Sequence, residues 1–362
     1  MSERIIVLAN SSDGLYGFRK ELLEALAKKG HVWASVPDNG WFEALSRQGC
    51  EIIETPIDRR GINPATDLKL LLRYIQMIRR LKPTRVITYT IKPNVYGGIA
   101  CRLLKVPYAV NITGLGTTFQ KRGLLKTIVV TLYRLAIHGA STVFFENSGN
   151  MQTLLDMGIV RLPQCKLLNG AGVNLEQYSP AEYPREDCTT RFLFIGRVMA
   201  EKGVNALFAA MEQLIAEGYR CELDVLGYYE EDYKEKIYKY TQLGWLHYHG
   251  FQTDVKPFIA RAHCFVLPSW HEGMANTNLE CAAMARPLIT SNIHGCKEAI
   301  AESVSGLLCE PQDTESLYRA MKQFIAMSHE ERAAMGRAGR KHMEENFDKQ
   351  KVVEQTLKGL GI

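Results

Sequence analysis

The sequence predicts an α/β protein made of two doubly wound domains, each with a parallel sheet covered by helices on both faces. Three observations lead to this prediction. The chain has 362 residues, which exceeds the usual size of a single hydrophobic core. Short apolar runs alternate with amphipathic stretches, as expected where strands alternate with helices. This alternation starts afresh after Pro180, which indicates a second domain.

The first half of the chain contains the first series of strands and helices. An apolar run at residues 5–9 predicts a strand, and the polar residues 10–14 predict a loop. The helix predicted over 16–29 carries Phe18, Leu22 and Leu26 at helical spacing. The same pattern continues with strands at 31–36, 51–55 and 85–90 and helices at 40–48 and 68–81.

The second half repeats the pattern. Strands are predicted at 191–195, 221–226 and 263–267, with helices at 204–217 and 233–243. The stretch 169–180 holds Gly170, Gly172 and Pro180 and is the candidate linker. We therefore expect an N-terminal domain over 1–170, a C-terminal domain over 171–345, and a final helix at 346–362 that packs back on the N-terminal domain.

Composition excludes several classes of protein. The formal net charge is +5, from 44 basic and 39 acidic residues, which is too small for a dedicated nucleic-acid binder. The nine cysteines are scattered without a C-x-x-C pair, which is typical of free thiols in a reducing compartment. The histidines have no supporting Cys or carboxylate spacing, so no metal site is expected. The first apolar run is short and no run reaches the length of a membrane span, so we expect a cytoplasmic location.

The strongest local pattern spans residues 267–280. A buried strand is predicted to end near Leu267, a loop carries Glu272 and Gly273, and a helix begins near Asn276. A helix N-terminus offers unpaired N–H groups and a partial positive charge, which suit a phosphate. Glu280 lies eight positions after Glu272. This spacing lets the two carboxylates bracket one ligand, whereas ligands of a shared metal are usually closer.

A second pattern follows the strand at 191–195. Gly196 lets the backbone approach a ligand, and Arg197 and Lys202 flank the entry to the next helix. Two cations at this place can clamp a pyrophosphate, with Arg supplying a planar fork and Lys a point charge. The alternative is that both form surface ion pairs, which contribute little to stability.

Together these motifs resemble glycosyltransferase family 4, a retaining family with two Rossmann-like domains that face each other across a cleft (the GT-B fold). The resemblance covers most of the chain and is most specific from about residue 169 to 302. It implies an N-terminal domain that binds the acceptor and a C-terminal domain that binds a nucleotide sugar. The motifs are the glutamate pair Glu272 and Glu280, the segment Gly196-Arg197 with Glu201-Lys202-Gly203, and the linker Asn169-Gly170-Ala171-Gly172-Val173-Asn174.

The resemblance also implies roles for individual residues. Glu272 and the backbone after it would hold the donor sugar, and Glu280 would bind the ribose. Arg197 and Lys202 would hold the diphosphate, so that catalysis depends on them and on Glu272. The base would lie near Gly250 and Phe251. The complete predicted donor site is Gly14, Gly196, Arg197, Lys202, Phe251, Glu272, Gly273, Met274, Ala275, Asn276 and Glu280.

The N-terminal half has fewer signals. Residues 12–16, with Asp13 and Gly14, resemble the family's first loop, which closes over the donor phosphate. No G-x-G-x-x-G follows the first strand, which argues against a dinucleotide-binding dehydrogenase. Residues 111–117 stand where many family members have a His or Asp near the reacting carbon, and this chain has neither. The acceptor-side candidates are Asp13, Lys92, Asn111 and Thr113.

A basic face on the helix at 68–81 suggests contact with a membrane. Lys69, Arg73 and Arg80 share one face, Arg59 and Arg60 are close in sequence, and residues 121–130 mix basic with apolar side chains. A solvated helix face is the ordinary explanation for such charges. Basic residues combined with exposed apolar ones favour reversible attachment to anionic lipid, and the family often uses lipid-linked acceptors.

The resulting hypothesis is a retaining hexosyltransferase that moves a sugar from a nucleotide diphosphate sugar, in particular a UDP-sugar, to a lipid-linked or saccharide acceptor. Arg197, Lys202 and the helix N-terminus would stabilise the leaving diphosphate, so no metal or other cofactor is expected. The enzyme would lie on the inner face of the cell membrane without binding nucleic acid. The alternative is a catalytically silent sugar-nucleotide sensor or assembly subunit that has kept the donor pocket.

Overall fold

The protein folds into two units. The computed structural model describes residues 2–58, 61, 63–116, 124–186, 189–301 and 304–362, with the backbone alone for 124–126. The first unit comprises Met1–Ala171 and Gln350–Ile362, and the second comprises Gly172–Lys349. The chain therefore passes between units after residues 171 and 349, whereas the sequence suggested boundaries at 170 and 345.

The first unit contains a seven-stranded sheet of parallel strands in the order β3-β2-β1-β4-β5-β6-β7. Its strands are β1 Glu3–Leu8, β2 Gly30–Val36, β3 Cys50–Glu54, β4 Arg85–Tyr89, β5 Tyr108–Ile112, β6 Thr142–Phe145 and β7 Cys165–Leu167. Its helices before the second unit are α1 Ser12–Ala27, α2 Phe42–Arg47, α3 Pro64–Leu81, α4 Gly98–Leu104, α5 Leu124–Ile137 and α6 Ser148–Asp156, with a π-helical turn at Pro93–Gly97.

Helix α1 begins four residues before the predicted position. Ser11 caps it, because the Ser11 side chain accepts a hydrogen bond from the backbone N–H of Gly14 at 3.1 Å. The predicted loop residues 12–14 therefore form the first helical turn. Leu22 and Leu26 are buried against the sheet as predicted, but Phe18 is 40% exposed. Its placement on the buried face was wrong, and Leu15 takes that place.

The second unit contains a six-stranded parallel sheet in the order β10-β9-β8-β11-β12-β13. Its strands are β8 Thr190–Ile195, β9 Cys221–Leu226, β10 Leu246–Gly250, β11 Cys264–Leu267, β12 Leu288–Ser291 and β13 Gly306–Cys309. Its helices are α7 Val204–Ala216, α8 Lys234–Gln242, α9 Lys256–Arg261, α10 Asn276–Ala283, α11 Thr314–Ala326 and α12 His329–Asn346. The two sheets and their alternating helices confirm the predicted fold class.

The last helix, α13 (Lys349–Leu360), packs on the first sheet. Val352 lies in a small apolar cluster with Ala109, Phe144 and Leu168. The Thr142 hydroxyl also donates a hydrogen bond to the Gly359 carbonyl at 2.9 Å. These contacts explain why residues 350–362 belong to the first unit.

The strand order of each sheet predicts where a ligand binds. In the first sheet the order reverses between β1 and β4, and in the second between β8 and β11. In open α/β sheets, ligands bind beyond the carboxyl ends of the strands at such a switch point. The loops that follow β8 and β11 contain the two patterns found in the sequence. Asp13, in the first turn of α1, comes after β1, and Lys92 comes after β4.

Candidate active site

Hydrogen bonds to the Glu201 carbonyl connect the loop after β8 to the loop after β11. The Trp270 N–H donates to the Glu201 carbonyl at 2.9 Å, and the Ser269 hydroxyl donates to the same carbonyl at 3.2 Å. Gly203 has φ +76°, and a Cβ there would lie 2.0 Å from the Pro268 carbonyl oxygen. Only glycine permits this approach, so the sequence at position 203 decides how closely the two loops meet.

These two connected loops bring Lys202 and Glu272 into direct contact. The Lys202 ammonium and the Glu272 carboxylate form an ion pair, with side chains that are 18% and 12% exposed. The two residues are 70 positions apart in the sequence. The structure thus joins one member of each predicted motif at a single, partly buried point.

The N-terminus of α10 leaves hydrogen-bond donors unused. Helix α10 begins at Asn276, and no side chain caps it. Among the described residues, the backbone N–H groups of Asn276 and Thr277 have no acceptor, since Ala275 donates to the Gly295 carbonyl and Asn278 to the Ala275 carbonyl. The Asn276 Oδ1 atom is buried without a hydrogen-bond partner. The two N–H groups and the helix dipole can bind an anion here, whereas the Asn276 oxygen is an acceptor and needs a hydrogen-bond donor.

Met274 and Ala275 can offer a ligand their backbone groups but not their side chains. Their side chains are buried in the core of the second unit. Gly273 is buried as well. Any contact of these three residues with a ligand must therefore use N–H or carbonyl groups.

Glu280 lies one turn into α10 in a desolvated position. Burial raises the pKa of Glu280 to about 7, although a hydrogen bond from Tyr178 and the positive charge of Lys349 act in the opposite direction. Tyr178 belongs to the segment that the sequence suggested as a linker, and nothing in the sequence pattern pointed to it. A carboxylate with a raised pKa in a partly buried place is typical of a binding or catalytic group.

The Arg197 side chain contacts an acidic residue that follows β9. Its guanidinium lies 3.5 Å from the Glu230 carboxylate, and its side chain is 39% exposed. The neighbouring Glu231 accepts a hydrogen bond from the Ala200 N–H at 2.8 Å. Two acidic residues after β9 therefore support the loop of Arg197, which the sequence did not reveal. Gly196 lies where β8 ends.

Phe251 follows β10 and is exposed, as is Tyr228 after β9. Their ring centroids are 6.5 Å apart with an interplanar angle of 50°. The two rings offer an apolar surface beyond the carboxyl ends of neighbouring strands. The sequence singled out Phe251 but not Tyr228.

In the first unit, Asp13 and Gly14 lie at the N-terminus of α1. Asp13 is exposed and contacts the Ser11 hydroxyl. Ser12 and Asn39 exchange hydrogen bonds at 3.2 and 3.1 Å, which fixes this turn to the loop after β2. The N-terminus of α1 therefore follows β1 directly, at the switch point of its sheet.

The other acceptor-side candidates occupy different environments. Lys92 follows β4 and pairs with Asp67 of α3 at 2.7 Å. Asn111 lies inside the sheet, 4% exposed, and its side-chain amide donates to the Thr88 carbonyl at 3.1 Å. This hydrogen bond joins the Asn111 side chain on β5 to the backbone of β4. Its predicted contact with an acceptor stays a prediction. Thr113 is partly exposed after β5.

The predicted basic face of α3 is exposed. Lys69, Arg73 and Arg80 are all exposed, and so are Leu68 and Leu72. Arg59, Arg60 and residues 121–123 of the second basic segment lie outside the described residues. No helix within the described part of the chain is long and apolar enough to cross a membrane. The described residues also contain no group of three or more His, Cys, Asp or Glu side chains arranged to hold a metal ion.

Comparison with known proteins gives matches over both units. Residues 4–147 match the family model "Glycosyl transferase 4-like", and residues 189–327 match "Glycosyl transferases group 1". A Campylobacter jejuni relative, N,N'-diacetylbacillosaminyl-diphospho-undecaprenol alpha-1,3-N-acetylgalactosaminyltransferase, is 24% identical over 87% of each chain. The capsular polysaccharide biosynthesis glycosyltransferase CapM of Staphylococcus aureus is 23% identical over 92% of this chain and 90% of its own.

Solved structures agree on the fold. HepE of Anabaena, in complex with UDP and glucose, superposes with a TM-score of 0.80 at 16% identity over 99% of each chain. Sucrose-phosphate synthase of Thermosynechococcus elongatus superposes with a TM-score of 0.77 at 18% identity over 98% of each chain. With two family models matched in the order of the two units, the chain belongs to glycosyltransferase family 4, whose members have the GT-B fold, and is a sugar-transferring enzyme.

Proposed function

We propose that this enzyme moves a hexose or N-acetylhexosamine from a UDP-sugar, with retention of configuration, to a lipid-linked or saccharide acceptor in bacterial surface-glycan synthesis. The observation that carries the proposal is the contact of Lys202 with Glu272 in the loop leading to the uncapped N-terminus of α10. A cation and unused N–H groups can bind the diphosphate of a nucleotide sugar, and a carboxylate can accept hydrogen bonds from the sugar hydroxyls.

The proposed roles follow from the chemistry of these groups. Glu272 accepts hydrogen bonds from sugar hydroxyls, and the diphosphate takes its place as the partner of Lys202. The N–H groups at Asn276 and Thr277 donate to phosphate oxygens. Glu280 in its ionised form accepts hydrogen bonds from the two ribose hydroxyls.

Arg197 and Phe251 complete the proposed donor site. Arg197 exchanges Glu230 for the diphosphate, which its exposure permits. The ring of Phe251, with that of Tyr228, covers the base.

In the proposed reaction the bond between the anomeric carbon and the diphosphate oxygen breaks as positive charge develops on the sugar. Lys202, Arg197 and the α10 dipole stabilise the departing negative charge, which is the largest contribution in reactions of this kind. The acceptor hydroxyl attacks from the face that the leaving group vacates, and its proton passes to the departing phosphate oxygen. The chain then needs neither a nucleophile nor a metal ion.

The names of relatives support the choice of substrates. HepE has been crystallised with UDP-glucose. The Campylobacter relative is named for an acceptor on diphospho-undecaprenol, and so is an Escherichia coli alpha-1,3-galactosyltransferase that is 24% identical over 72% of this chain. An acceptor of this kind resides in a membrane. The exposed basic and apolar residues of α3 would let the enzyme attach to an anionic membrane surface, which also supports a peripheral location on the cytoplasmic side.

The test is sugar transfer by the purified enzyme. A panel of UDP-sugars is offered with polyprenyl-diphosphate-linked sugars, and product is measured by mass spectrometry. We expect Glu272→Gln to lower kcat at least about 100-fold, as loss of one transition-state contact does. The matched control is Glu222→Gln, at the second residue of β9, whose side chain is 39% exposed, and it should retain full activity.

Two outcomes would contradict the proposal. Undiminished transfer by the Glu272 variant would remove this residue from the mechanism. Binding of UDP without transfer or hydrolysis of any donor would favour the silent sensor instead.

A further inference from the structure

The first unit has an open pocket of about 660 Å³ that the donor site does not use. It lies where the chain leaves β3 and β4, and the exposed side of α3 forms one wall. Pro56 and Ile57 line it after β3, Lys92 after β4, and Lys69, Leu72 and Arg73 from α3. An acceptor candidate and two of the residues predicted to bind membrane thus line the same pocket, although the sequence assigned them to separate surfaces.

The charges of the pocket favour an anion. Lys92 is paired with Asp67 at 2.7 Å, so it contributes little free charge. Asp58, also in the lining, accepts a hydrogen bond from the Gly61 N–H at 2.8 Å. Lys69 and Arg73 have no carboxylate within ion-pair distance among the described residues. Both side chains are exposed and can turn toward a phosphate, for which Lys and Arg are the common protein ligands.

The apolar part of the lining favours a hydrocarbon chain. Leu72 is 49% exposed although it lines the pocket, and Pro56 and Ile57 add apolar surface to the lining. Covering such surface is worth about 25 cal/mol per Å². A sugar alone or an inorganic anion would leave this surface in water, whereas an alkyl or isoprenoid chain next to a phosphate would cover it.

We infer that this pocket binds the phosphate and the first apolar units of an amphiphilic phosphate ester, with Lys69 and Arg73 on the phosphate and Leu72 on the chain. The inference rests on the proposed function and deepens it, because such an ester is the anchor of a lipid-linked acceptor. Lys69 and Arg73 then recognise one molecule, in addition to the part that α3 takes in attachment to the membrane surface. The same phosphate chemistry occurs in free diphosphate and in bulk phospholipid, so the test must separate these sources.

The first experiment compares charges on α3. Binding of farnesyl diphosphate is measured by calorimetry for the intact enzyme and for two double variants, Lys69→Gln/Arg73→Gln and Arg79→Gln/Arg80→Gln. Both variants remove two exposed positive charges from the same helix, but Arg79 and Arg80 do not line the pocket. We expect the first variant to weaken binding at least about tenfold and the second to change it less than about twofold.

The second experiment tests the apolar contact. Leu72→Ser and Leu68→Ser remove exposed leucines one turn apart, and only Leu72 lines the pocket. The intact enzyme should bind farnesyl diphosphate more tightly than inorganic pyrophosphate. Leu72→Ser should reduce this preference several-fold, and Leu68→Ser should leave it unchanged.

Three results would overturn the inference. If both double variants lose the same affinity for farnesyl diphosphate, and the same affinity for vesicles of phosphatidylcholine and phosphatidylglycerol, the binding is general surface electrostatics. Equal affinity for pyrophosphate and farnesyl diphosphate would show a site for free anions. If the enzyme turns over a UDP-sugar but does not bind farnesyl diphosphate, the pocket is refuted and the proposed function stands. If it binds farnesyl diphosphate but turns over no UDP-sugar, the proposed function is refuted and the pocket stands.

Discussion

Replacing Glu280 by glutamine should stabilise the protein at high pH. In the folded state the pKa of Glu280 is about 7, against an ordinary value of 4.5. The folded protein therefore holds a proton that the unfolded chain has already lost, and stability falls as the pH rises from about 4.5 to about 7. A shift of about 2.5 units corresponds to about 3 kcal/mol. Glutamine keeps an oxygen for the hydrogen bond from Tyr178 but carries no charge.

The assay is urea denaturation of the intact enzyme and of Glu280→Gln at pH 5 and pH 8. The difference in the free energy of unfolding between the two proteins isolates Glu280, since all other titrating groups are shared. We expect this difference to move by about 2 to 3 kcal/mol in favour of the variant on going from pH 5 to pH 8. A difference that does not change with pH would refute the assignment of a desolvated carboxyl group.

The same substitution should weaken donor binding. If ionised Glu280 binds the ribose, UDP-glucose should bind the intact enzyme more tightly at pH 8 than at pH 6. The diphosphate of UDP-glucose does not titrate in this range, so the change reports on the protein. In Glu280→Gln the affinity should be about tenfold lower at pH 8, because a neutral acceptor replaces a charged one, and it should not vary with pH. A pH-independent affinity in the intact enzyme would contradict the proposed role.

Three further predictions concern the loops and their support. Lys202→Ala should lower kcat for sugar transfer at least about 100-fold while circular dichroism stays unchanged, and full activity would exclude Lys202 from the mechanism. Arg286 is fully buried and its guanidinium donates to six backbone carbonyls, so Arg286→Met should cost at least about 3 kcal/mol of unfolding free energy. The exposed Arg319, whose side chain is 74% accessible, should lose under about 0.5 kcal/mol on the same change, and similar losses at both positions would refute the argument. Gly203→Ala should disrupt donor binding because its Cβ would meet a backbone oxygen, whereas Gly218→Ala has the same sign of φ but open space around it. Equal affinities of these two alanine variants for UDP-glucose would show that the close approach at position 203 does not matter.

The sequence predicted the elements that have a strong local signal. Strand β9 has the bounds predicted for it, and α10 begins at the predicted Asn276. A strand in the middle of a parallel sheet is buried on both faces and is therefore largely apolar. Its bounds can be predicted from the apolar run alone. The start of α1 was missed because the Ser11 cap extends the helix into polar residues that resemble a loop. Phe18 was assigned to the core by its spacing, but spacing does not tell how wide the buried stripe of a helix is.

By itself the sequence determined the fold class, the family and the two motifs at the carboxyl ends of β8 and β11, because residue type and spacing carry that information locally. Tertiary structure alone decided that Lys202 meets Glu272, that Tyr178 contacts Glu280, and that the Asn111 side chain donates to the Thr88 carbonyl. It also decided that Lys92 and α3 line one pocket. The physical reason is that each of these contacts joins residues distant in the chain, and their approach depends on how whole strands and loops pack rather than on any pattern near either residue.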